Sequence, residues 1–124
     1  MGSGNLLDSN VIVDLIQNNL STELSEQIFT YHNYSSDIVR IEVLGFSMDE
    51  NLETSFLRLF DKLTILPLSE EIVKRTILLR KQKKIKLGDA LIAATALVHN
   101  LQLVTRNIRD FKGIEDLEVI NSES

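Results

Sequence analysis

Leu87-Gly88-Asp89-Ala90-Leu91-Ile92-Ala93-Ala94-Thr95-Ala96-Leu97-Val98-His99-Asn100 is the stretch that decides the fold. From Ala90 to His99 it reads as a helix that is apolar on every side. A helix without a polar face is a buried helix. Asn100 ends it, and Leu101-Gln102-Leu103-Val104 follows as a short strand. Upstream, Ser69 is placed as the N-cap of a helix running to about Gln82, with Glu70 and Glu71 in its first turn, where the helix dipole favours negative charge. Before it, Thr64-Ile65-Leu66 is a strand closed by Pro67. Helices are expected over Asp37–Phe46 and Asp49–Lys62, and Asn33-Tyr34-Ser35-Ser36 reads as a turn. Further out, Thr22–Tyr31 and Val11–Asn18 read as helices, Asn5-Leu6-Leu7 as the first strand and Leu117–Ile120 as the last. Strands alternating with helices predict a mainly parallel central sheet covered by helices, an α/β fold. In such sheets ligands bind beyond the carboxyl ends of the strands.

The 124 residues fit one domain, 1–124, with Met1-Gly2-Ser3-Gly4 set aside as a tag remnant. Apolar residues make up 44% and charged residues 25%, the balance of a globular chain. There is no cysteine, which excludes disulfides and thiolate metal sites and points to a cytoplasmic home. Two histidines, His32 and His99, give little support to a zinc site or a Ser-His-Asp triad. Any metal is therefore expected to be a hard cation on carboxylates. No apolar run is long enough for a membrane span, and no signal peptide is visible. The net charge of −5 does not steer the chain toward nucleic acid, so attraction to RNA would need metal or a local basic patch.

Four acidic or polar places need an explanation. Asp8 follows the first strand in Leu7-Asp8-Ser9-Asn10, where a helix cap is the bland alternative. Glu42 falls among Ile38, Ile41, Gly45 and Phe46 at helical spacing, which puts a carboxylate on an apolar face. Such a group is rarely buried unless it is paired. Asp89 opens the buried helix, and an N-cap is its alternative role. Asn107 and Asp110 follow the strand Leu101–Val104, with an ordinary polar loop as the alternative. Gathered at one rim, the carboxylates would repel, and Mg²⁺ or Mn²⁺ would relieve the repulsion. Such ions activate water against a phosphodiester. The basic run Arg80-Lys81-Gln82-Lys83-Lys84-Ile85-Lys86 directly precedes Gly88-Asp89 and reads as a phosphate-binding patch, which Arg106, Arg109 and Lys112 extend. A solvated helix end is the alternative. Phe46, Phe56 and Phe60 read as core or as a dimer surface.

These residues resemble the PIN-domain ribonucleases, and within them the VapC-type toxins. The anchors are Leu6-Leu7-Asp8-Ser9-Asn10-Val11, Ser36 with Ile41-Glu42-Val43-Leu44-Gly45, Leu87-Gly88-Asp89-Ala90-Leu91-Ile92-Ala93-Ala94-Thr95-Ala96, and Leu103-Val104-Thr105-Arg106-Asn107 with Asp110-Phe111. The resemblance spans nearly the whole chain and implies a three-layer α/β/α sandwich. It implies that Asp8, Glu42 and Asp89 bind Mg²⁺ or Mn²⁺, with Asn107 and Asp110 as further ligands. Ser9, Asn10 and Thr105 support the site, and Lys83, Lys84, Lys86 and Arg106 are expected on the RNA. It implies hydrolysis of RNA, homodimerisation and silencing by a cognate antitoxin. The first motif carries Ser9 where relatives commonly have threonine. Asn107 stands where many carry a fourth acid, which leaves the second metal open. A PIN-like module that binds RNA or protein without cutting is the alternative. A phosphoacceptor receiver domain is a weaker one, because Asp14 lies too far along to pair with Asp8.

Overall fold

The computed structural model describes residues 4–17, 26, 28 and 32–123. Five strands form one all-parallel sheet: β1 (Gly4–Leu7), β2 (His32–Ser36), β3 (Thr64–Leu66), β4 (Gln102–Thr105) and β5 (Val119–Asn121). The helices are α1 (Ser9–Gln17), α2 (Asp37–Leu44), α3 (Glu50–Asp61), α4 (Glu70–Gln82) and α5 (Leu87–Val98). A 3-10 turn covers Ile108–Phe111. The helix expected over Thr22–Tyr31 lies almost wholly outside the described residues.

The strand order β3-β2-β1-β4-β5 differs from the 2-1-3-4-5 order of receiver-type folds, which removes that alternative. The chain works outward from β1 to β3, then returns to the other side of β1 with β4. The β1/β4 boundary is thus the switch point, and its carboxyl edge is where a parallel sheet opens a crevice. Asp8 and Thr105 lie at that edge. The amide of Asp8 donates to the Val104 carbonyl at 3.0 Å, so the pairing of β1 with β4 runs right up to Asp8.

The buried helix is found where the sequence places it. Ala90, Ile92, Ala93, Ala94, Thr95 and Ala96 of α5 are all buried. Asn100 adopts a left-handed φ of 55°, which ends the helix and sends the chain into β4. The small side chains let α4 pack closely on α5, and this is the most extensive helix pair among the described residues.

Two expectations are corrected. His32–Ser36 is a strand and not a turn. Its Asn33 side chain is satisfied from neighbouring elements, while Ser35 Oγ is buried with no partner among the described residues: Gln102 Nε2 donates to Asn5 Oδ1, and Asn5 Nδ2 donates to Asn33 Oδ1 at 3.2 Å. Asn33 Nδ2 in turn donates to the Ile28 carbonyl at 2.8 Å, completing an amide ladder across β4, β1 and β2. Gly4 is buried in β1 opposite His32, and a Cβ there would lie 2.8 Å from the His32 carbonyl. Phe56 and Phe60 are core, but Phe46 is 73% exposed. Among the described residues no helix is long and apolar enough to cross a membrane.

Candidate active site

Asp8 is the fixed point of the site. Its carboxylate is buried at the start of α1, and it also takes the first amide of that helix. Oδ1 accepts the Ser9 amide at 2.8 Å, and Oδ2 accepts the Thr105 hydroxyl at 2.7 Å and Asn10 Nδ2 at 3.4 Å. The Thr105 hydroxyl uses its full capacity: it donates to Asp8 and accepts from Asn10 Nδ2 at 3.3 Å and the Asn107 amide at 3.1 Å. Asn10 Oδ1 accepts the Arg106 amide at 3.0 Å. Asn10 and Thr105 together lock the start of α1 to the end of β4, and the lock sets the direction of the Asp8 carboxylate.

Glu42 reaches the same place from α2, though not by the route its spacing implies. That helix turns Val39 and Val43 to the core, while Glu42, Gly45, Phe46 and Ile41 (67% exposed) face outward. The apolar-face argument for Glu42 is therefore overturned. Its residues offer two competing apolar stripes, and packing chose the one through Val39 and Val43. Glu42 Oε1 accepts the Ser9 hydroxyl at 2.5 Å. A Cβ on Gly88 would come within 2.8 Å of Glu42 Oε2, so the carboxylate lies directly over the first turn of α5.

Asp89 sits in that first turn, half-buried. The N-cap of α5 is Lys86, so the capping role for Asp89 is also overturned. Burial raises its carboxyl pKa from 3.8 to about 6, and the charges of Asp110, Asp8 and Glu42 add to the effect. Burial likewise pushes the Asp8 carboxyl up, against the hydrogen bonds of Thr105 and Ser9, with help from Glu42 and Asp110. Asp110 acts on both, so it supplies the fourth negative field although Asn107 holds the position nearer the strand.

Asp8, Ser9, Asn10, Glu42, Asp89 and Asn107 line one cavity of about 500 Å³. Its far wall is apolar, built from Val13, Phe46, Met48, Leu52 and Phe56. Asp110 faces a second cavity, of about 510 Å³, with Lys83, Lys84, Lys86, Arg80, Arg109 and again Asp89. Arg106 does not reach that cleft. Its guanidinium pairs with Asp14 at 3.0 and 3.1 Å, and Asp14 is buried on α1. This pair was missed by sequence reading, yet it left a signal: Asp14 falls three residues after Val11, inside the apolar repeat of α1.

Among the described residues no three carboxylate, thiol or imidazole side chains already converge as a metal site. The donor chemistry nevertheless fits a hard divalent cation. The candidates are all oxygen donors, and the carboxyl pKa values of Asp8 and Asp89 are raised by burial first and by neighbouring carboxylates second, both costs that a bound cation would offset. Glu42 is held by the Ser9 hydroxyl, and that bond is solvent-exposed.

An all-parallel α/β fold with acids collected at the β1/β4 edge defines the class of carboxylate-centred hydrolases that use a divalent ion. The PIN domain family model matches residues 6–117, and the chain belongs to that family of metal-dependent nucleases. The chain is 31% identical to Ribonuclease VapC1 of Rickettsia felis over 98% of both sequences. It superposes on a toxin–antitoxin complex from Klebsiella pneumoniae with a TM-score of 0.80 and 31% identity, covering 98% of this chain and 99% of the other. VapBC2 from Rickettsia felis, bound to a DNA fragment from its promoter, gives 0.78 and 26%, covering 94% and 97%.

Proposed function

We propose that this chain is the ribonuclease toxin of a toxin–antitoxin pair, hydrolysing RNA phosphodiesters with Mg²⁺ or Mn²⁺ in the cytoplasm. One observation carries the reading: Asp8, Glu42, Asp89 and Asn107, from four separate segments, line a single cavity. In this proposal Asp8, Glu42 and Asp89 hold the cation, with Asn107 and Asp110 beside it. The bound ion supplies an activated water and charge neutralisation at the leaving oxygen. Thr105, Ser9 and Asn10 keep the Asp8 carboxylate oriented, and Glu42 exchanges its Ser9 hydroxyl for the ion. Lys83, Lys84 and Lys86 are the proposed RNA contacts; the ion pair of Arg106 with Asp14 makes it a weaker one. The exposed Phe46, with Met48 and Leu52, offers apolar surface to the cognate antitoxin beside the acids. A homodimer is part of the proposal.

The test is cleavage of RNA by the purified chain. Discrete fragments are expected with Mg²⁺ or Mn²⁺, none with EDTA, and none from Asp8→Asn or Asp89→Asn. Cleavage that persists in EDTA or in Asp89→Asn would overthrow the reading. The amide at Asn107 favours one second reading, a module that holds RNA without cutting it. RNA binding with no cleavage at saturating metal would select that reading.

A further inference from the structure

Among the described residues, one ion pair with a buried partner lies beside the acidic cavity, and the reaction proposed above does not use it. Asp14 is buried on α1, its side chain 5% exposed, and both carboxylate oxygens accept from the Arg106 guanidinium, at 3.0 and 3.1 Å. One turn earlier on α1, Asn10 Oδ1 accepts the Arg106 amide at 3.0 Å. Residues four apart share a helix face. One face of α1 therefore holds Arg106 by its main chain and its side chain at once. Asn107 follows directly. Its amide donates to the Thr105 hydroxyl at 3.1 Å, and that hydroxyl donates to Asp8. The Asn107 side chain makes no capping bond to the 3-10 turn that it opens, and the residue lines the acidic cavity. The Asn107 carbonyl accepts the Asp110 amide at 3.1 Å, so the same anchor sets where Asp110 lies. The far end of this segment is tied separately, by Lys83 Nζ donating to the Lys112 carbonyl.

We propose that Asp14 is a positioning residue for the cation site: through Arg106 it holds the segment after β4 so that Asn107 stays in the acidic cavity, with Asp110 behind it. The assignment rests on the reading that the acids of this cavity hold a divalent cation. A buried ion pair is weak evidence of stabilisation, because apolar residues of like volume often do as well. What this pair supplies is direction. The buried charge of Asp14 fixes the guanidinium, the guanidinium fixes the Arg106 backbone, and Asn107 is the next residue along the chain. Asp14 touches neither ion nor substrate in this role. Arg106 is correspondingly engaged by Asp14 and not by RNA.

The test uses the full chain with Asp14→Asn, which keeps the shape and removes the charge, with Arg106→Gln, and with Arg106→Lys, which restores a cation. Amide hydrogen exchange is followed by NMR in EDTA. The Arg106 and Asn107 amides should exchange roughly 5-fold faster in Asp14→Asn, the loss expected from one partly exposed ion pair. The Leu103 amide, bonded to the Glu118 carbonyl at 2.8 Å, should be unchanged. Calorimetric titration with MnCl₂ should show affinity falling about 10-fold in Asp14→Asn and in Arg106→Gln, the lower end of the loss when a group supporting a metal ligand is removed. Arg106→Lys should recover most of that affinity. The double variant Asp14→Asn/Arg106→Gln should lose no more than Arg106→Gln alone, because the two side chains act as one unit. In cleavage assays kcat should fall while KM for RNA holds. Exchange at Leu103 speeded by the same factor, an unchanged Mn²⁺ affinity, or additive losses in the double variant would overturn the assignment. So would a raised KM for RNA in Arg106→Gln with Asn107 exchange unchanged, which would give Arg106 to the substrate. Mn²⁺ affinity that follows these variants in a chain that cleaves no RNA would sink the nuclease reading and leave Asp14 assigned. Cleavage by the wild type, with every variant binding Mn²⁺ equally well, would do the reverse.

Discussion

Asp89→Asn is expected to end nuclease activity and, in metal-free protein at neutral pH, to make the chain more stable. The Asp89 carboxyl pKa is raised in the folded state from 3.8 to about 6. The folded protein therefore binds a proton more tightly than the unfolded chain does. Stability is greatest below about pH 4, falls as pH rises toward 6, and stays low above that. A shift of about two units corresponds to roughly 3 kcal/mol for a fully buried group. Asp89 is half-buried, so screening reduces this to about 1–1.5 kcal/mol. Its place in the first turn of α5 returns about 0.3–1 kcal/mol through the helix dipole, which Asn forfeits. The expected net gain for Asp89→Asn is about 0.5–1 kcal/mol at pH 7.5, or about 2–5 °C in Tm. At pH 4.5 the wild-type group is largely protonated and the gain should vanish. Urea unfolding of both proteins in EDTA at the two pH values measures this. Added Mg²⁺ should then reverse the order, since a ligand that binds only the folded wild type stabilises it by mass action. No gain at pH 7.5, or the same gain at both pH values, would show that the ionised Asp89 carboxylate does not carry the cost of burial and neighbouring charge described here.

Gly88→Ala should separate activity from folding. The new Cβ meets only the flexible end of Glu42, at 2.8 Å, and alanine favours the helix by up to about 1 kcal/mol. Melting should hold or rise while cleavage falls severalfold, as Glu42 is pushed aside. Thr105→Val removes the hydroxyl that joins Asp8, Asn10 and Asn107 and leaves a buried carboxylate short of a donor. A loss of about 1–3 kcal/mol is expected in denaturant titration at pH 7.5, smaller at acidic pH where Asp8 is protonated. Arg106→Gln should cost more than Asp14→Asn, about 1–2 kcal/mol, because it strands the buried carboxylate and leaves the half-exposed partner absent. Equal costs in thermal melts would show that stranding the buried Asp14 carboxylate is not the penalty. Phe46→Ala should change stability by less than about 0.5 kcal/mol, since the ring is 73% exposed, and a large drop in Tm would contradict that placement.

Local pattern carried most of the architecture. The apolar helix Ala90–Val98, the N-cap Ser69 and the strand Thr64–Leu66 are where sequence reading puts them, because periodicity and capping are decided within a few residues. The strand β2 was not legible. His-Asn-Tyr-Ser-Ser carries no strand pattern of its own, and its Asn33 amide is satisfied only once Asn5 and Ile28 are beside it. The face of α2 was not legible either, since Ile38, Val39, Ile41 and Val43 permit two buried stripes and the chain alone does not rank them.

Composition and order along the chain determined a parallel α/β sheet and pointed to its strand ends, and they supplied Asp8, Glu42 and Asp89 as the candidates for an all-oxygen acidic site. Tertiary structure alone decided that Asp8 is locked by Thr105, that Glu42 meets the Ser9 hydroxyl, that Asp110 adds its field from a neighbouring cleft, and that Arg106 is engaged by Asp14. The reason is physical. Helix and strand preference is a property of adjacent residues, whereas burial, pairing and pKa are set by groups that meet only when distant segments are packed together.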